Sequence, residues 1–211
     1  MGRLLLVRHG ESQWNAAGIV QGQDGPGLTE RGHDQARRVG AWLAEEAPDA
    51  VLAVSDLVRC RETAAPYETV AAEVQVDARL RERHFGAWQG ADHATLAAEH
   101  PALWERFRSR EDVLEEVGGE STPTLVARVR EALVELASAN PVTVVVTHGG
   151  PVWHGTHALV GVPEPTLGPV SNAGVTILDV HEHGAAQLLT WNQVGHLPPP
   201  LRTTWPAAHT A

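Results

Sequence analysis

Two histidines, each followed by glycine, are the residues in this chain best suited to chemistry. His9 lies in Leu6-Val7-Arg8-His9-Gly10-Glu11, and His148 in Thr147-His148-Gly149-Gly150. An imidazole has an unperturbed pKa of about 6.5 and one ring nitrogen with a free lone pair, so near neutral pH it can act as a nucleophile. The cationic groups that would accompany it are all of one kind: the chain has 16 basic residues, every one an arginine, and no lysine. Every fixed positive side-chain charge is therefore a guanidinium, a planar fork matched to bidentate contact with phosphate oxygens. Net charge is −10. The molecule as a whole repels nucleic acid and anionic membranes, and an anionic substrate has to be captured by a local cationic pocket.

The elements that must position these histidines can be read from hydropathy. Strand-like runs cover Arg3–Val7, Val51–Val54, Val74–Asp77, Val142–Thr147, Gly174–Val180 and Ala186–Thr190. Helical patterns alternate with them. Between Thr29 and Ala47, the residues Ala36, Val39, Gly40 and Leu43 fall on one face, and Leu125, Val129, Leu133 and Leu136 make a second stripe between Thr122 and Ala139. This alternation predicts an α/β fold, a three-layer α/β/α sandwich around a mostly parallel sheet. Sites in such folds lie at the carboxyl ends of strands. His9 directly follows the first strand and His148 the strong strand Val142–Thr147, so the two are expected to converge on one pocket.

The bulk numbers are those of an ordinary soluble globular protein. With 211 residues, 43% hydrophobic and 20% charged, the chain suits one domain over residues 1–211, with a proline-rich, irregular tail over 197–211. The apolar run at the start is too short for a signal-peptide core or a membrane span. The single cysteine, Cys60, excludes an internal disulfide and fits a reducing, cytoplasmic setting. No membrane or nucleic-acid partner is expected, and a homodimer is left open. His154 and His157 have one-turn spacing but lack a third ligand, so they are read as packed or solvent-facing residues and no metal site is expected. Trp42, Trp104 and Trp191 are read as core.

Taken together, the blocks resemble the histidine phosphatase superfamily, also called phosphoglycerate mutase-like. The resemblance runs through Leu6-Val7-Arg8-His9-Gly10-Glu11-Ser12, Asn15, Gln21-Gly22, Leu28-Thr29-Glu30-Arg31-Gly32 and Ser55-Asp56-Leu57 with Arg59 and Thr63-Ala64. It continues through Leu80-Arg81-Glu82, Phe85-Gly86, Trp88, Gly90, Gly119-Glu120-Ser121, Thr147-His148-Gly149-Gly150 and Asn192 with His196-Leu197. The resemblance implies a phosphomonoesterase that forms a phosphohistidine on His9 without metal or other cofactor. It assigns Arg8, Arg59 and His148, held as a cation or a hydrogen-bond donor, to a clamp on the phosphoryl oxygens, and Glu82 to the acid/base role. Asn15, Gln21, Gly22 and Gly149 would complete the substrate cradle. Arg81 and Arg83 flank Glu82 and could tune it. Cys60 stands where the family usually has a small residue such as alanine, and is read as a buried, inert thiol.

Within the family the phosphatase branch fits better than the cofactor-dependent mutases. Mutases are longer and carry a lysine shortly after the segment matching Glu82-Arg83-His84-Phe85-Gly86. Here the arginines between Gly90 and Gly118 are only Arg106, Arg108 and Arg110, among seven acids, which is little capacity for a second phosphate. The mutase stays as an alternative. A non-catalytic binding module is the alternative of another class, and it should lack at least one of Arg8, His9, Arg59, Glu82 and His148; all five are present. Gln21-Gly22-Gln23, Trp88-Gln89-Gly90 and Trp191-Asn192 are similar to members that act on sugar- or glycerate-type phosphates. The stretch Gln23-Asp24-Gly25-Pro26-Gly27-Leu28 is looser than the family's usual form, which reshapes the expected pocket rim.

Overall fold

The computed structural model describes residues 1–204. Six strands form one sheet: β1 (Gly2–Arg8), β2 (Val51–Val54), β3 (Glu73–Val76), β4 (Val142–Thr147), β5 (Val175–Val180) and β6 (Ala186–Gln193). Their order is β3-β2-β4-β1-β5-β6. β1, β2, β3 and β4 pair in parallel, while β5 and β6 run antiparallel at one edge. The sheet is thus mostly parallel, as the sequence implies. β5 is antiparallel to both of its neighbours, β1 and β6, and the connection between β5 and β6 (181–185) is a hairpin too short for a crossover.

Seven helices surround the sheet: α1 (Gln13–Ala17), α2 (Glu30–Glu46), α3 (Val58–Glu68), α4 (His93–Glu99), α5 (Pro101–Arg108), α6 (Thr122–Ala139) and α7 (Gly149–Val160). Side chains alternate across a strand, and β1 shows what that does here. Leu4 and Leu6 point to one face, where they join Leu125, Val129 and Leu133 of α6 and Val152 and Leu159 of α7. Leu5 and Val7 point to the other, against Val39 and Leu43 of α2 and Cys60, Ala64 and Tyr67 of α3. The three layers are these two cores and the sheet between them. A third, smaller cluster lies under α4 and α5, with Trp88 enclosed by Trp104 and Phe107.

Two expectations need correcting. Trp42, Trp104 and Trp191 are only partly buried; the enclosed tryptophan is Trp88, at 2% exposure. Trp88 sits in a polar-looking stretch with no apolar periodicity, so its burial is set by tertiary packing. The segment from Leu197 is also more ordered than its prolines suggest. Leu197 is fully buried, Pro199–Leu201 form a helical turn, and Gln35 Nε2 donates to the Leu201 carbonyl at 2.7 Å. Residues 205–211 of the expected tail lie outside the described residues.

Candidate active site

The register of the central strands builds the site. β1 and β4 pair with Arg8 opposite Thr147, so the next residues on each strand, His9 and His148, emerge side by side. Their rings meet edge to face with centroids 5.2 Å apart. Both side chains are buried. The His9 Nδ1–H donates to the Gly10 carbonyl at 2.7 Å, since a carbonyl can only accept. That fixes the tautomer and leaves Nε2 with the lone pair. Burial, then Arg59 and Arg8, push the His9 pKa well below its ordinary 6.5, so the ring is neutral across the physiological range.

The loop carrying His9 is held from several sides. The Gly10 N–H donates to Thr63 Oγ1 of α3 at 2.9 Å, and the Glu11 N–H to Gln35 Oε1 of α2 at 2.7 Å. Gly10 packs on α2 so closely that a Cβ there would stand 2.6 Å from the Gly32 carbonyl oxygen. Asn172 is buried below the loop, and its Nδ2 donates to the His9 carbonyl and to Asn15 Oδ1, at 3.2 and 3.1 Å. Asn172 is outside every motif read from the sequence. Its only signal is a polar Ser171-Asn172 pair just before a strand, too common a pattern to single out.

His148 and Arg59 form a unit. The Arg59 Nε–H donates to His148 Nδ1 at 3.2 Å, so the ring proton is on Nε2, 2.9 Å from Ser55 Oγ. Burial, then Arg59, hold the His148 pKa well below 6.5. Of the two states expected for His148, the surroundings select the neutral donor over the cation. Arg59 also does more than the sequence suggests. It is 1% exposed and donates from Nη1 to the Asp24 carbonyl at 2.8 Å and from Nη2 to the Gly22 carbonyl at 2.6 Å. It ties down the loop that lines the pocket as well as facing it.

Arg8 is differently placed. Its Nη1 donates to the Val170 carbonyl at 2.5 Å, but its buried Nε–H has no protein partner. Burial lowers its pKa to about 10, so it stays charged. A buried, unpaired charged donor is costly; at a pocket wall it is a ready place for an anion.

The Glu82 carboxylate accepts from the N–H groups of Arg83 and Gly150, at 2.9 and 3.1 Å. Gly150 is in the first turn of α7, where N–H groups lack helical partners and favour negative charge. A Cβ on Gly150 would lie 2.2 Å from Glu82 Oε1, so only glycine permits this approach. The flanking arginines are committed elsewhere: Arg81 to Asp56, and Arg83 to Asp112 and the Glu120 carbonyl. The backbone of Glu82 is fixed by Arg128, which donates to the carbonyls of Arg79, Arg81 and Glu82 while bridging Glu120. Sequence reading passed over Arg128, whose one signal is an arginine beside the apolar stripe of α6.

These groups share a cavity of about 220 Å³ lined by Arg8, His9, Asn15, Gln21, Gly22, Arg59 and Glu82, with Phe85, His93 and Phe107 at its rim. Asn15 and Gln21 are tied to each other through Ser12, which caps α1. Gly22 has φ of 55°, and its carbonyl is taken by Arg59. Gly149 lines a neighbouring cavity with Arg8. His154 faces Glu164, and His157 bonds the Trp153 carbonyl and the Leu167 N–H. His157 is buried, and His154 also reaches that neighbouring cavity. Cys60 is fully buried, with Sγ 3.3 Å from His148 Nε2, and burial raises its pKa.

A neutral imidazole sharing a cavity with two guanidiniums and a carboxylate bonded at a helix N-terminus, at the carboxyl edge of an α/β sheet, is an arrangement suited to phosphoryl transfer. The sequence comparisons agree: the model of the histidine phosphatase superfamily (branch 1) matches residues 4–194, and the chain belongs to that superfamily. It is 36% identical to glucosyl-3-phosphoglycerate phosphatase of Mycobacterium tuberculosis over 194 residues, covering 85% of this chain and 86% of the relative. It is 34% identical to metal-independent phosphoserine phosphatase of Arabidopsis thaliana over 200 residues, covering 92% and 82%. The mycobacterial glucosyl-3-phosphoglycerate phosphatase solved with VO3 superposes with a TM-score of 0.80 at 34% identity, over 92% of this chain and 100% of that one. No helix among the described residues is long and apolar enough to cross a membrane.

Proposed function

We propose that the protein is a metal-independent phosphatase that acts on a small phosphomonoester of the sugar- or glycerate-phosphate type through a phosphohistidine on His9. The observation that carries this reading is the fixed tautomer of His9, which keeps Nε2 unprotonated on a ring that lines the cavity shared with Arg8, Arg59 and Glu82. In the first step Nε2 attacks phosphorus in line and the P–O ester bond breaks, while protonated Glu82 gives its proton to the leaving oxygen. In the second, water attacks phosphorus and the P–N bond breaks, with Glu82 taking the proton from water. Arg8 and Arg59 offset the charge on the non-bridging oxygens, and His148, whose Nε2–H is directed at Ser55 Oγ, positions Arg59 through Nδ1. Asn15, Gln21 and the backbone at Gly22 and Gly149 line the cradle.

Both relatives are named as phosphatases, one acting on glucosyl-3-phosphoglycerate and one described as a metal-independent phosphoserine phosphatase, which supports hydrolysis over mutase transfer. A cytoplasmic setting fits the lone buried thiol and the acidic surface, and the same acidity argues against nucleic acid or anionic membrane as partner. Each residue of the proposed mechanism comes from one chain, so a homodimer would not be required for chemistry. The test is turnover of p-nitrophenyl phosphate, and of 3-phosphoglycerate with bisphosphoglycerate, in EDTA. Hydrolysis of both unaffected by EDTA and abolished in His9→Ala is the expected result. Efficient interconversion of phosphoglycerates would instead establish the mutase, and silence on every substrate the binding module.

A further inference from the structure

Next to the phosphate cavity lies a second one of about 370 Å³. Arg8 and Phe107 line both, so a phosphoryl group at His9 would place its alcohol portion here. The walls are largely apolar, from Phe107, Trp153, Pro169 and Val170, but five charged residues besides Arg8 also reach it. Four of these have partners within the protein. Arg83 pairs with Asp112 and Glu111 with Arg106, and the Glu164 carboxylate accepts from His154. Arg110 alone has no carboxylate partner among the described residues.

The backbone marks Arg110 as well. It directly follows the C-cap Ser109 of α5 in the left-handed region, with φ of 68°. That is the position where helices usually place glycine, because a side chain there is strained. The Arg110 N–H closes the turn onto the Phe107 carbonyl at 2.9 Å. Its guanidinium is then stacked over the Trp153 ring, 5.1 Å from the centroid. A strained backbone that presents one unpaired cation on an aromatic shelf is the pattern of a binding determinant.

We infer that Arg110 is a specificity-determining residue that reads a carboxylate on the alcohol portion of the substrate, so that the preferred substrates are phosphomonoesters of hydroxy acids. One unpaired cation beyond the phosphate clamp matches one further anionic charge. The apolar walls accommodate the carbon skeleton, and the cavity leaves room for a group larger than a three-carbon acid. This rests on the phosphatase reading above and adds the class of leaving group.

The test compares kcat/KM for 3-phosphoglycerate with that for glycerol 3-phosphate, which has the same skeleton without the carboxylate. The wild type should favour the acid by roughly 10-fold or more, the usual worth of one charge-assisted hydrogen bond. In Arg110→Asn, which tolerates the left-handed backbone, that ratio should fall toward one, and Arg110→Lys should restore much of it. A ratio near one in the wild type, or one that Arg110→Asn does not move, overturns the subsite while leaving the phosphatase standing. Failure of the wild type to hydrolyse p-nitrophenyl phosphate as well as both esters overturns the phosphatase reading itself.

Discussion

In the proposed mechanism Arg59 carries two roles with one guanidinium. Three of its five N–H groups go to His148 Nδ1 and to the carbonyls of Gly22 and Asp24, and the remainder are free for a phosphoryl oxygen. The planar fork is what allows this division, and an ammonium on a flexible stem cannot reproduce it. Arg59→Lys should therefore lose kcat/KM by about 100-fold or more and also cost about 1–3 kcal/mol of stability from stranded carbonyls. Paired measurements of turnover and urea unfolding check this. A loss of activity with unchanged stability would mean that the loop is held by other contacts. Sequence could assign Arg59 a place in the clamp because the motif around it is specific. It could not reveal the loop-holding role, which depends on carbonyls contributed by residues some 35 positions earlier.

At the level of elements, the junction between β4 and α7 does much of the positioning. It delivers His148 from the strand end and brings the first turn of the helix against Glu82. Sequence reading found this junction because glycine follows the histidine at a strand end, and it likewise found all six strands to within a few residues. It found α2 and α6 by their apolar stripes. It did not single out the short α1, which buries no residue, or α4 and α5, which are short and pack around Trp88, or the N-terminal turn of α3, where Arg59 is buried against the usual preference of a charged residue. The glycine at 150 has a testable purpose. In Gly150→Ala the new Cβ would displace the tip of a flexible side chain and no backbone, so the fold should survive with a melting temperature within a few degrees of wild type. The displaced carboxylate should slow alkyl phosphates by about 10-fold or more, in the range attributed to positioned acid/base groups, and phenyl phosphates much less, because they leave without needing a proton. Equal slowing of both would detach Glu82 from the acid role.

For the molecule as a whole, the buried imidazoles link stability to pH. His9 and His148 are held neutral, with folded-state pKa values well below 6.5. The unfolded chain takes up protons near 6.5 while the folded one does not. The stability from keeping these rings neutral is complete above about pH 6.5 and declines as pH falls from there toward the depressed folded values. Unfolding free energy measured between pH 7.5 and 5 should decrease for the wild type. In the double variant His9→Gln/His148→Gln it should decrease less over the same range. A wild-type profile that is flat or rises toward acid would contradict the neutral assignment.

Cys60 gives the architecture an experimental handle. It is the chain's only thiol, sealed beneath His148 between β4 and α3 and kept protonated by burial. A thiol-specific dye cannot reach it while those elements stay docked. Labelling therefore acts as a clock for the opening of the floor beneath His148, free of background from other cysteines, and any ligand that fastens Arg59 to that floor slows the clock.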